Sequence, residues 1–128
     1  MTDWLTTSTH RAWLQHEAER LLAFAVASPQ QGGGGAYLDA DGAPEAGRPT
    51  ETWITCRMVH SYALGHLMGI PGSRPLAERA MSGLTGALRD AEHGGWTPAR
   101  QHELIKKSSL YIYRKEIIHG KLFKSNEK

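Results

Sequence analysis

The stretch Thr52-Trp53-Ile54-Thr55-Cys56-Arg57-Met58-Val59-His60-Ser61-Tyr62-Ala63-Leu64-Gly65-His66-Leu67-Met68 decides the fold. Residues 51–68 read as a helix whose apolar side chains cover most of its circumference. A helix apolar on several faces is packed on several sides. Gly69 and Pro71 stop it, Gly by accepting the left-handed cap conformation and Pro by blocking continuation. One-sided helices flank it. In residues 10–28, Trp13, Leu14, Ala18, Leu21, Leu22 and Ala25 recur at three- and four-residue steps, with Ser8 or Thr9 as the cap and Pro29 beyond the end. In residues 74–91, Leu76, Ala77, Ala80, Met81, Leu84 and Leu88 form the stripe, Glu78, Arg79 and Ser82 lie opposite, Ser73 is the cap, and Pro75 sits in the first turn. This alternation predicts an all-α fold of inner and outer helices.

The connecting segments are less regular. Residues 29–49 read as a loop, with the run Gly32–Gly35 as a flexible patch. A phosphate loop would need a preceding strand and a following Gly-Lys-Ser/Thr, and both are missing. Ala36-Tyr37-Leu38 reads as a short extended piece closed by the turn Asp39-Ala40-Asp41-Gly42, which lacks the further ligands of a calcium loop. Gly94-Gly95-Trp96 breaks the chain again. Residues 101–123 mix helical spacing with the strand formers Leu110-Tyr111-Ile112-Tyr113 and are read as helix.

The chain has 128 residues and a net charge of +2, but this average conceals a boundary. All six lysines lie at or after Lys106. Up to residue 98 there are seven basic and ten acidic residues, a net of −3; beyond it there are eight and three, a net of +5. Fifteen alanines occur up to Ala99 and none later. The break divides the chain into a unit over 1–98 and an unrelated-looking basic tail over 99–128. The bland reading is a terminal extension; the sharper one is a chain whose original continuation has been replaced.

A single cysteine excludes an internal disulfide, and the longest apolar run, Leu21 to Ala27, is far short of the ~18 residues of a membrane span. The N-terminus has no basic stretch followed by an apolar one, so a cytoplasmic location is expected. Seven histidines show no His-Glu-x-x-His and no helical four-residue pair, so no metal site and no cofactor is predicted. Cys56 reads as a small buried core residue.

Arg57 is the most informative residue. A permanent cation in a nearly apolar helix must meet a carboxylate or reach a cavity holding a polar ligand. Its planar fork of donors suits sugar hydroxyls or a developing oxyanion. Trp53, four residues earlier and on the same face, offers either core packing or an apolar plane to a sugar ring. An open pocket holding both residues marks a ligand site; an Arg57 paired with Glu17 or Glu51 in a closed core marks a structural ion pair.

The motifs Tyr37-Leu38-Asp39-Ala40-Asp41-Gly42, Thr52 to Tyr62, Gly86-Ala87-Leu88-Arg89-Asp90 and Gly94-Gly95-Trp96, with Trp13-Leu14 and Glu17 on the first helix, resemble the N-acylglucosamine 2-epimerase family. They are most like its aldose–ketose isomerase branch, which acts on mannose-like hexoses. The resemblance covers about residues 4–96. It implies an (α/α)6 barrel around a sugar pocket, here incomplete and limited to the N-terminal helical hairpins. It implies proton transfer beside a carbonyl through an enediolate, which needs an acid–base pair and an oxyanion donor. The family's Arg matched by Arg57 contacts the substrate, and Trp53 joins it as a substrate-binding residue. The catalytic His pair belongs to later helices, so no histidine here is assigned as base, and His60 is read as facing away from Arg57. The expectation is an N-terminal fragment of a sugar isomerase/2-epimerase without turnover alone, with uncovered apolar faces prone to self-association. The alternative is a non-enzymatic helical interaction module whose basic tail meets an acidic partner; nucleic acid is not favoured, because Tyr111 and Tyr113 are too few for a stacking platform.

Overall fold

The computed structural model describes residues 3–100. In chain order it contains α1 (Ser8–Phe24), β1 (Thr50–Glu51), α2 (Thr52–Leu67), α3 (Ser73–Thr85) and β2 (Ala99–Arg100), with short 3-10 turns at Trp4–Thr6 and Ala25–Ala27. The described part is mostly helical, as the periodicities predict. The residues 101–123 read as helix lie outside it.

The helix ends follow local chemistry. α2 closes with the expected glycine cap: Gly69 has φ 78°, its N–H donates to His66 O at 3.0 Å, and Ile70 N–H donates to Gly65 O at 2.9 Å. This paired arrangement satisfies carbonyls that the last turn would leave open. α3 begins one residue earlier than predicted. Gly72, at φ 78°, occupies the cap position, and Ser73 is the buried first residue of the helix instead of its cap. α1 likewise starts at Ser8 with Thr7 as cap, and the Thr7 hydroxyl donates to Trp4 O at 3.0 Å instead of capping α1. The helical pattern read over 10–28 therefore ends as an α-helix at Phe24 and finishes as a 3-10 turn.

The main packing is between α2 and α3, joined by a short connection as in an antiparallel helical hairpin. Small residues and one tyrosine make the contact. Thr55, Tyr62 and Gly65 are buried on α2, and Ser73, Ala80 and Gly83 on α3. Leu88, beyond the end of α3, is fully buried. A Cβ on Gly65 would come within 2.7 Å of Ser73 Oγ and 2.9 Å of Leu22 Cδ1, so Gly65 is where α1, α2 and α3 meet. The Tyr62 hydroxyl donates to Leu22 O at 2.8 Å and ties α1 to α2.

The glycine run departs most from expectation. Gly34 and Gly35 are buried, and the run is wedged against the helical hairpin. Gly34 N–H donates to Ala80 O at 3.3 Å, and Gly35 N–H donates to Thr55 Oγ1 at 2.9 Å. A Cβ on Gly33 would lie 2.6 Å from Gly83 N, and one on Gly83 would strike the Gly34 backbone. Only residues without side chains permit that approach, so the glycines serve contact and not flexibility. An isolated bridge between Pro29 and Gly35, and a Ser28 hydroxyl donating to Ala36 O at 2.8 Å, close the loop at its base.

The predicted turn after Leu38 is present. Asp39 Oδ1 accepts from the Asp41 and Ala43 N–H groups, both at 2.9 Å, and Leu38 bridges Pro44. A two-strand ladder was not predicted: β1 pairs antiparallel with β2, Thr50 opposite Arg100 and Glu51 opposite Ala99. Two residues per strand are too few for a legible alternation. The Gly94-Gly95 turn brings β2 back, with Arg89 bridging Trp96 and Thr97 N–H donating to Leu88 O at 2.9 Å.

Two core expectations are corrected. Cys56 is exposed, because it lies on the side of α2 away from α3. Among the described residues α2 is packed on one side only: Trp53, Leu64, Leu67 and Met68 are exposed, Leu67 by 81%. On α1, Trp13, Leu14 and Leu21 are exposed, and no residue of that helix is buried.

Three glycine substitutions separate the roles. Gly83→Ala has no room for its methyl group and lowers stability by at least about 3 kcal/mol, the upper range of overpacking costs. Gly69→Ala meets open space but a left-handed backbone, and costs about 1–2 kcal/mol. Gly32→Ala meets neither obstacle and is neutral or stabilising by up to about 1 kcal/mol. Urea unfolding of the three variants checks this order. Burial pushes the Tyr62 phenol up to about 12. Because the folded value is raised, the stabilisation is complete below the ordinary phenol value near 10 and is lost as pH rises through 12. Ultraviolet difference titration should lose its late phenolic step in Tyr62→Phe, whose alkaline stability loss is correspondingly smaller.

Candidate functional site

The exposed side of α2 follows from its 3.6-residue repeat. Trp53, Cys56, Arg57, His60, Leu64 and Leu67 stand at positions i, i+3, i+4, i+7, i+11 and i+14 of one helical face and are all exposed. His60, three residues after Arg57, therefore adjoins it on one face and does not face away.

Trp53 and Arg57 are brought together as their spacing predicts. The Arg57 guanidinium carbon lies 5.0 Å from the centre of the Trp53 ring, over its face. Such a contact at an exposed site is worth about 0.5–1 kcal/mol, enough to bias orientation but not to hold it. Among the described residues, Arg57 meets no carboxylate. Glu17 is taken by Arg20 at 2.8 Å, and its carboxyl is held below its ordinary value mainly by that hydrogen bond. Glu51 is taken by two neutral donors: the Tyr37 hydroxyl donates to Glu51 Oε2 at 2.6 Å, and Trp53 Nε1 donates to the same oxygen. The ion-pair alternative for Arg57, through Glu17 or Glu51, is thus not realised. An exposed guanidinium keeps its donors for water or a ligand.

Tyr37 comes from the extended piece before the Asp39 turn and is fixed there by Glu45 N–H donating to its carbonyl at 2.9 Å. Its ring meets Trp53 edge-on at 6.1 Å and 71°. The Arg48 guanidinium lies over the same ring, 4.0 Å from its centre, and Arg48 also pairs with Glu45 at 2.7 Å. The hydrogen bond to Glu51 is the main reason the Tyr37 phenol is held above its ordinary value; desolvation and the Glu51 charge add to it, and Arg48 opposes it. The chain thus presents Arg57, Trp53, Tyr37 and Arg48 as a connected cationic and aromatic surface around one carboxylate. Such a surface can stack on an apolar sugar face and donate to its oxygens. Sequence reasoning missed Tyr37 and the role of Glu51, since their contact spans a loop and no spacing rule joins them.

Cavities lie elsewhere among the described residues. One of about 380 Å³ is lined by Trp4, Thr7, Thr9, His10 and Trp13. Another, about 160 Å³, lies between the Gln30–Ala36 and Pro44–Thr50 segments. Among the described residues no group of three or more His, Cys, Asp or Glu side chains is placed to hold a metal ion, and no helix is long and apolar enough to cross a membrane.

A family model for N-acylglucosamine 2-epimerase matches residues 32–118, which include the glycine wedge, α2 and α3. The chain belongs to the N-acylglucosamine 2-epimerase family. It is 50% identical over 99 residues to a D-mannose isomerase of Thermobifida fusca, covering 77% of this chain and 24% of that protein. It is 42% identical over 98 residues to a D-mannose isomerase of Pseudomonas cannabina pv. alisalensis, covering 77% of this chain and 23% of that one. The chain therefore spans about a quarter of the length of these curated relatives. The family match extends past residue 98 to residue 118, whereas the two relatives align over 99 and 98 residues.

Freed of the Trp53 contact, Arg57 loses its bias across the helix face. Trp53→Ala should leave the urea midpoint within the span of a surface substitution, about 0.5 kcal/mol, while the Arg57 side-chain resonances lose their ring-current shifts in NMR spectra.

Proposed function

We propose that this chain forms part of the sugar pocket of an aldose–ketose isomerase acting on mannose-like hexoses in the cytoplasm. On this reading the α1–α3 hairpins are the N-terminal portion of an incomplete (α/α)6 barrel over residues 1–98, and the basic segment 99–128 is a separate tail. The observation that carries it is the Trp53–Arg57 pair, exposed and without a carboxylate partner among the described residues, in a chain 50% identical over 99 residues to a D-mannose isomerase. Trp53 supplies a plane to the sugar ring. Arg57 donates to a sugar oxygen and stabilises negative charge when the proton beside the carbonyl is removed and an enediolate forms. The proton returns to the former carbonyl carbon, and the hydroxyl proton of the carbon that lost it moves to the former carbonyl oxygen, which exchanges aldose for ketose. The acid–base pair is not assigned to any histidine of this chain, so the chain by itself binds sugar without turning it over. Its exposed apolar side chains on α1 and α2 favour self-association.

The test incubates the 128-residue chain with D-mannose and quantifies D-fructose. No ketose should form above the buffer control. Clear turnover that disappears in Arg57→Ala would overturn the inactive-fragment reading. D-mannose binding, followed by NMR shift changes, should weaken roughly tenfold in Arg57→Ala, the loss of one or two hydrogen bonds from a charged donor. Equal affinity in the variant would remove Arg57 from the site.

A further inference from the structure

We propose that Glu51 is a positioning residue for the sugar-contacting pair: its carboxylate fixes the plane of the Trp53 ring and, through that ring, the direction of Arg57. The inference rests on the reading of Trp53 and Arg57 as substrate-binding residues and adds the group that orients them.

Glu51 stands at the N-cap of α2, with φ −101° and ψ 142°. Short side chains there, Ser, Thr, Asp or Asn, accept from the first free N–H groups of the helix, whereas the longer Glu reaches past them. Glu51 makes no such bond. Its Oε2 instead accepts from Tyr37 Oη at 2.6 Å and from Trp53 Nε1. A carboxylate oxygen that accepts from two aromatic side chains ties both of them to one point. Bonds to an ionised acceptor are shorter and stronger than neutral ones, so one oxygen can set both rings.

The stem of Glu51 is fixed independently. Its backbone pairs with Ala99 in the β1–β2 ladder. Its carbonyl accepts from the Thr55 hydroxyl at 2.8 Å, and that hydroxyl oxygen accepts from Gly35 N–H at 2.9 Å. Thr55 is fully buried. The carboxylate therefore extends from a rigid anchor toward a Trp ring that is 49% exposed and lacks core packing to hold it. With the indole nitrogen tied to Glu51, one ring face is directed to Arg57 at 5.0 Å and an edge contact is made with Tyr37. Arg48, stacked over the Tyr37 ring at 4.0 Å, restrains that ring further. Rotation of Trp53 would change both the plane offered to a sugar and the position of the guanidinium over it.

The test compares Glu51→Ala, Glu51→Gln and Tyr37→Phe in the 128-residue chain, with D-mannose as the probe. The first readout is hydrogen exchange of the Trp53 indole N–H by NMR, assigned with Trp53→Phe. It should accelerate roughly tenfold in Glu51→Ala, as expected for loss of a charge-assisted hydrogen bond. It should largely recover in Glu51→Gln, whose amide oxygen still accepts. The Tyr37 phenol should titrate lower in both Glu51 variants, nearer its ordinary value. The second readout is D-mannose affinity, which should fall severalfold in Glu51→Ala and less in Glu51→Gln. Unchanged indole exchange in Glu51→Ala overturns the inference whatever the sugar does. Faster exchange with unchanged affinity, in a chain where Trp53→Phe and Arg57→Ala weaken binding, also overturns it, because the orientation then has no consequence for the ligand. No effect on affinity from Trp53→Phe or Arg57→Ala overturns the underlying site reading, and this inference with it.

Discussion

The structure depends on one close approach: the Gly33–Gly34 backbone lies directly against Gly83 of α3, with Thr55 of α2 behind it. Two helices and a loop meet there without side-chain volume between them. The usual source of stability in a domain this size, a set of large apolar side chains, is nearly absent, since Tyr62, Ala80 and Leu88 are the buried apolar residues among those described. Close backbone contact replaces it. Dispersion between tightly packed atoms and hydrogen bonds from Gly34 and Gly35 into the hairpin do the work that leucines do elsewhere. Such packing is intolerant of added volume, which is why the cost of a methyl group differs so sharply between Gly83 and Gly32.

That choice explains what could be read from the sequence and what could not. Helical spacing marked α2 and α3, and the Gly69 and Asp39 turns could be placed because cap and turn chemistry is local. The glycine run was misread because composition does not distinguish a flexible loop from a packed one; both are rich in glycine, and only the partner, Gly83, tells them apart. Cys56 and the apolar circumference of α2 failed for a related reason. Periodicity gives the faces of a helix but not which of them is covered, and among the described residues only the face toward α3 and α1 is covered.

The candidate site divides along the same line. Trp53 and Arg57 could be paired from sequence because four residues along a helix bring side chains to one face. Placing His60 away from Arg57 misapplied the same geometry, since three residues along also share a face. Glu51 was seen only as a possible partner for Arg57. The observed contacts, to Tyr37 across a loop and to Trp53 across the helix junction, depend on the chain path between residues 37 and 51, which no periodicity encodes.

The packed face and the open face of α2 are coupled through Thr55. Its hydroxyl receives the glycine wedge through Gly35 and donates to the carbonyl of Glu51, whose carboxylate holds Tyr37 and Trp53. A threonine suits this position because it is small enough for the interface and carries both a donor and an acceptor. A serine would keep the bonds and lose the methyl that fills the space; a valine would keep the volume and strand the Gly35 N–H. The wedge that replaces a large core therefore also sets the anchor from which the exposed pair is oriented. In a family whose longer relatives include D-mannose isomerases, that arrangement lets α2 keep one face sealed by small residues and Tyr62 while the other leaves a cation and an aromatic plane exposed.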